Sequence, residues 1–237
     1  MEKNALAFLR LLQLADSALP IGTAAHSFGL ETLVAQEWLR VEELERFLRA
    51  YLAEVGVLEG TFCLRGQQLG TRLEQAGPGA DVQAWLLLNA RLSAFKLARE
   101  SREASAALGR RLLQLASGLE LHPGLPELIR AAKAGRQATH HSIAFGLLGG
   151  LLQIEARDVV LAYFQQTLTG LVSACQRLLP LGQSRASQIL WHLHPIVLET
   201  VERSEAAALD DNVASFTALV DLGSMLHPAL TTRLFIS

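Results

Sequence analysis

Apolar side chains recur along this chain at spacings of three and four, the period of helices that bury one face. The clearest run is Val41, Leu44, Leu48, Tyr51, Val55, Leu58 and Phe62, with Glu42, Glu43, Glu45, Arg46 and Arg49 on the other side. It predicts an amphipathic helix that continues past Gly56 and Gly60, both open to close approach by a neighbour, to the Gly77-Pro78-Gly79 break. Before it, a helix over residues 4–15 stops where Pro20 and Gly22 demand a turn, and a short helix follows over 24–36. After it, Asp81 caps a long helix that carries Trp85, Leu88, Leu92 and Phe95 and turns polar from Arg99 to Glu103. A loop surrounds His122-Pro123-Gly124-Leu125-Pro126. Residues 139–154 are apolar nearly all round, so this stretch belongs at the centre, with Gly146, Gly149 and Gly150 permitting tight contacts. Asp158 opens a helix whose stripe is Val160, Phe164, Leu168, Leu171, Cys175 and Leu178, ended by Pro180-Leu181-Gly182. Two helices, over 184–192 and 196–209, and a tail over 220–237 broken at His227-Pro228 complete the chain.

Composition agrees with the periodicity. Of 237 residues, 48 are Leu and 34 are Ala, whereas Val and Ile together number 19. Buried strands draw on β-branched residues, so this balance favours an all-α protein over a sheet-containing one. The fold expected is all-α, a single-domain bundle over 1–237 with roughly eight to ten helices and an irregular C-terminal tail from 220. The longest apolar stretch, 143–152, is about half of what a spanning helix needs, which argues against a membrane protein. Two cysteines far apart exclude a disulfide framework and point to the cytoplasm. A net charge of −2 without a basic run gives no reason to expect nucleic acid. Charged residues make up only 19% of a chain with mean hydropathy +0.26, thin cover that implies apolar surface shared with another chain.

The candidate chemistry is sparse. His140-His141 are adjacent and His192 and His194 are two apart, so neither pair shares a helix face as metal-binding histidines at i and i+4 do. No nucleophile elbow, phosphate loop or dinucleotide fingerprint is present. Cys63 and Cys175 sit on apolar faces and read as inert core thiols. The run Arg99-Glu100-Ser101-Arg102-Glu103 reads as a solvated face. These residues alone describe a soluble all-α protein that associates with other chains. An all-α small-molecule-binding enzyme or sensor with a core pocket is the alternative.

One segment narrows this. Leu11-Leu12-Gln13-Leu14-Ala15-Asp16-Ser17-Ala18-Leu19-Pro20-Ile21-Gly22, followed by His26-Ser27-Phe28-Gly29-Leu30-Glu31-Thr32, resembles the N-terminal signature of the UreF family of urease accessory proteins. Further matches follow in the family's order: Ala98-Arg99-Glu100; His141 through Gly146; Leu171-Val172-Ser173-Ala174 leading to Leu178-Leu179-Pro180-Leu181-Gly182-Gln183; and Ser224-Met225-Leu226-His227 with terminal Arg233-Leu234-Phe235-Ile236-Ser237. The tail departs from the family at Leu226, where Arg is usual, at Pro228, where an acid is usual, and at Ile236, where a base is usual. Ala24-Ala25-His26 likewise replaces an aromatic-containing pattern.

The resemblance implies a non-catalytic helical homodimer that helps insert nickel into apo-urease and bridges the UreD (or UreH) scaffold and the GTPase UreG. It implies no tightly bound cofactor, nickel being handled by the complex. It also implies partner contacts at Pro20, Gly22, Ser27, Gly29 and Glu31 in the loop, and at Ser224, Met225, His227, Arg233, Leu234, Phe235 and Ser237 in the tail. A plainer reading stands beside each. Pro20 and Gly22 make a turn, Ser27 and Gly29 allow helix packing, Glu31 faces solvent or pairs with an arginine, and the tail packs on its own bundle. His141 reads either as a liner of a nickel route or as a helix-start histidine.

Overall fold

Every residue of the helix His141–Leu151 is buried, as an all-round apolar sequence demands. In the computed structural model, which describes residues 2–210, 213–214 and 217–236, the other elements surround it. In chain order they are α1 (Glu2–Leu14), α2 (Leu30–Ala35), α3 (Leu44–Tyr51), α4 (Val57–Ala76), α5 (Val82–Phe95), α6 (Arg99–Gly118), α7 (Leu125–Ala134), α8 (His141–Leu151), α9 (Ala156–Leu178), α10 (Gln183–Leu209) and α11 (Ala218–Leu226). A π turn over Leu52–Gly56 joins α3 to α4 as one continuous helix, so the described residues form ten helices and no strand. The fold is all-α, and one apolar core runs from Leu11 to Phe235.

The closest packing is between α4 and α8, and glycine makes it possible. A Cβ on Gly66 would strike the Ile143 carbonyl, one on Gly70 the Leu147 carbonyl, one on Gly146 the Cys63 carbonyl and one on Gly150 the Gln67 carbonyl. The two backbones therefore touch along about two turns. Gly60 serves α9 and α10 in the same way, facing Phe164 and Ser204.

Three predicted elements come out differently. The helix expected over 24–36 is α-helical only at Leu30–Ala35, because Phe28 and Gly29 take positive φ of 52° and 88° and turn the chain after a short 3-10 turn at Thr23–Ala25. The long helix expected from Asp81 divides into α5 and α6. Lys96 turns inward there to an ion pair with Glu59, and Arg102 Nη1 donates to the freed Lys96 carbonyl at 2.7 Å. Conversely, the two helices expected over 184–192 and 196–209 are the single helix α10, with Pro195 inside it. Pro195 and Trp191 are exposed, so the Trp191 carbonyl that a proline four residues on cannot reach is left facing water.

Candidate functional site: a loop and tail that form one face

Segments from opposite ends of the chain meet around one carboxylate. Glu31, on the first turn of α2, is 6% exposed. Its Oε2 accepts from His227 Nε2 at 2.8 Å and from the Phe235 N–H at 3.1 Å, and its Oε1 accepts from the Leu234 N–H. Burial pushes the Glu31 carboxyl up, but the Leu234 amide, His227 and the Phe235 amide outweigh burial and hold it below the usual carboxylate range. The expectation that Glu31 faces solvent or pairs with an arginine is thus replaced. Its partner is a histidine 196 residues away, together with the tail backbone.

His227 is fully buried, and its Nδ1 lies 2.9 Å from Glu100 Oε2, a close contact that lacks the alignment of a hydrogen bond. The tail continues inward past it. The Ile236 N–H donates to the Ala25 carbonyl at 2.9 Å, and Phe235, 4% exposed, lies under the Arg177 guanidinium at 4.1 Å. Arg177 Nη2 also donates to the Ala24 carbonyl at 2.6 Å. At Gly29 a Cβ would meet the Val220 carbonyl and the Ser224 N–H, so this glycine lets α11 lie against the loop.

The other site candidates divide by accessibility. Pro20, Met225, Arg233 and Leu234 are exposed, and Gly22 is half-buried beside Arg111, which donates to the Ile21 carbonyl at 3.2 Å. Ser27 and Ser224 are buried, and the Ser27 hydroxyl accepts from the Glu31 N–H at 3.4 Å. Ser237 lies outside the described residues. Around the clamp, Leu219, Leu222, Met225, Leu226, Leu234 and Ile236 leave an apolar surface in solvent. The loop, the Ala98-Arg99-Glu100 segment and the tail, three of the separate sequence matches, thus converge on one place.

Comparison with known proteins gives the family. The UreF family model matches residues 39–194. The urease accessory protein UreF of Nostoc sp. is 34% identical over 233 residues, covering 97% of this chain and 96% of the relative. That of Actinobacillus pleuropneumoniae is 32% identical over 228 residues, covering 96% and 97%. The chain belongs to the UreF family.

Beneath the loop and tail, this UreF-family chain encloses a polar interior that the sequence reading did not foresee. Glu59 of α4 and Lys96 form a buried ion pair, and the Tyr163 hydroxyl lies 3.5 Å from Glu59. Burial is the largest influence on the Glu59 carboxyl and raises it, yet the Lys96 charge and hydrogen bond, with Ser142 and His140, together outweigh burial and hold it below its ordinary value. Sequence did carry a signal, since Glu59 is an acid flanked by Leu58 and Phe62 of the apolar stripe.

The two adjacent histidines lie close by. His140 bridges Ser93 Oγ at 2.7 Å and Ser105 Oγ at 3.2 Å, and its N–H donates to Asn89 Oδ1 at 2.7 Å. Burial, with the Lys96 charge second, pushes its pKa down to about 3. His141 starts α8 with its ring against Tyr163 and Phe145, and burial pushes its pKa down to about 4. Among the described residues no three His, Cys, Asp or Glu side chains are grouped to hold a metal ion. Cys63 and Cys175 are free and buried, and burial raises both thiols, that of Cys175 to about 12. Inert core thiols are what the apolar faces predicted.

Proposed function

We propose that this chain is the positional component of a urease-maturation complex. It binds the UreD/UreH scaffold through the loop-and-tail face, engages the GTPase UreG through a surface completed by a second copy of itself, and so supports GTP-dependent assembly of the nickel metallocentre in apo-urease. Nickel is cargo of the complex in this reading. The observation that carries it is the Glu31 clamp, which gathers the loop and tail into one face and leaves Met225, Leu234 and Ile236 in solvent. Exposed apolar residues on an ordered face are what a partner covers. Such a scaffold acts by differential contact, favouring one state of a bound GTPase over another.

The alternative, an enzyme or sensor with a core pocket, has less support. The polar interior pocket has a volume of about 60 Å³, against ~300–1,000 Å³ for sites that take drug-sized ligands. Co-purification with UreD and UreG is the test. Met225→Glu combined with Leu234→Glu is expected to lose UreD while the chain stays folded. Retention of neither partner by the unmodified chain, together with full nickel loading of urease in its absence, would sink the proposal.

A further inference from the structure

The interior pocket joins two observations that the assembly reading leaves unused. Its lining brings Glu59, Lys96, His141, Tyr163 and Gln166 together with apolar side chains such as Val55 and Leu108. Two polar atoms of those residues, His141 Nε2 and Gln166 Oε1, are fully buried and have no hydrogen-bond partner, although their residues are only 7% and 3% exposed. Buried polar groups in native proteins are nearly always satisfied, by water or a ligand where protein atoms do not serve. The Gln166 amide is also held in place, since its Nε2 donates to the Leu14 carbonyl at 3.2 Å. Its Oε1 is thereby left as an acceptor awaiting a donor. Ser101 of α6, Thr167 and Gly170 of α9, and Val220 of α11, which also line the pocket, are only half-buried.

We propose that this pocket is a binding site for a neutral hydrogen-bonding molecule of about three non-hydrogen atoms, met by ordered water or by a small amide. Size sets the upper limit. A cavity of ~150 Å³ accepts benzene with its six carbons, and this one is about 60 Å³. Charge sets the class. Glu59 and Lys96 are already paired with each other, so an ion of either sign would bring a like charge against one of them in a poorly screened interior. His141 stays uncharged at neutral pH and offers no net attraction to an anion. The ligand donates to Gln166 Oε1 and bonds His141 Nε2, closing both unpartnered positions.

The inference stands independently of the urease reading and is tested on the full chain alone. A crystal structure that shows ordered waters is expected to place density within ~2.7–3.2 Å of both atoms. Formamide, titrated against the labelled protein, is expected to shift the His141 and Gln166 side-chain resonances saturably. Acetate and methylammonium are expected to leave them unchanged, and His141→Phe to weaken formamide binding at least tenfold. Density from water that formamide does not displace identifies water as the ligand, and displacement identifies the small amide. An empty pocket in the unmodified crystal, or charged probes binding as well as formamide, overturns the proposal. Neither result depends on whether His141→Phe folds.

Discussion

Glu31 shows how much one buried carboxylate can organise. Its acceptors are used by His227 and by the main-chain amides of Leu234 and Phe235, so removing it leaves buried donors unmet. Glu31→Ala is expected to release the tail at a local cost of ~1–3 kcal/mol, read as faster amide exchange at Leu234 and Phe235 while α8 stays protected. Because the folded-state pKa of Glu31 is depressed, its contribution to docking is complete above the ordinary value of 4.5 and is lost as pH falls through the lower folded value. His227 faces it from the end of α11, and Glu100 of α6 lies against the other nitrogen of that histidine. Release of the Phe235 ring, followed by NMR through an acid titration, checks the sign. His140 and His141 give a second pH dependence. Held neutral with pKa values near 3 and 4, they oblige the unfolded chain to take up two extra protons as pH drops below 6.5. Stability is expected to fall from pH 6.5 toward 4 by up to ~1.4 kcal/mol per unit for each, and urea midpoints across that range would refute this by staying flat. Sequence matches pointed to Glu31 and His227 as site residues. Their contact was hidden, because nothing in either segment encodes a partner 196 residues distant.

At the scale of elements, periodicity was readable wherever burial is one-sided or complete, and failed where a side chain overrides it. Residues 41–76 form the continuous helix that their pattern predicts, and 141–151 of the apolar stretch 139–154 form α8. The break at Lys96 depends on Glu59, on a different helix, and no local signal announces it. Pro195 failed in the opposite sense, since an exposed proline with solvent at the released carbonyl does not end α10. The glycines offer a test of one substitution with two signs. Gly66→Ala would drive a methyl into the Ile143 carbonyl and push α8 from α4, with an expected loss of ~1–3 kcal/mol. Gly170 lies in mid-α9 with nothing within 4 Å of an added Cβ. Gly170→Ala is therefore expected to stabilise by up to ~1 kcal/mol through helix propensity alone. Thermal unfolding of the two variants separates contact from propensity, and equal shifts would show that the α4–α8 seam is looser than its geometry requires.

At the scale of the molecule, sparse charge is explained by where the remaining apolar surface lies. The accessible area is 11,642 Å², against about 10,400 Å² from the scaling for a monomer of this mass. Most of the excess apolar residues are grouped. Leu6, Phe8, Leu9 and Leu12 lie on α1, Trp191 and Leu198 on α10, and Leu219, Leu222, Met225, Leu226, Leu234 and Ile236 on α11 and the tail, while Trp38, Leu87, Leu97, Leu119 and, at the end of α10, Leu209 are exposed singly. In the proposed assembly, where the α11 and tail patch takes the scaffold partner and the chain also pairs with a second copy, that pairing uses another patch, because a two-fold interface has to be complementary to itself and stay free when the scaffold binds. Charge substitutions then separate the roles. Met225→Glu with Leu234→Glu is expected to abolish scaffold binding and leave the sedimentation coefficient of the isolated chain unchanged. Either Leu9→Glu with Leu12→Glu or Trp191→Glu with Leu198→Glu is expected to reduce that coefficient toward the monomer value. Loss of self-association from the tail variant alone would place both partners on one face and exclude a complex holding them together.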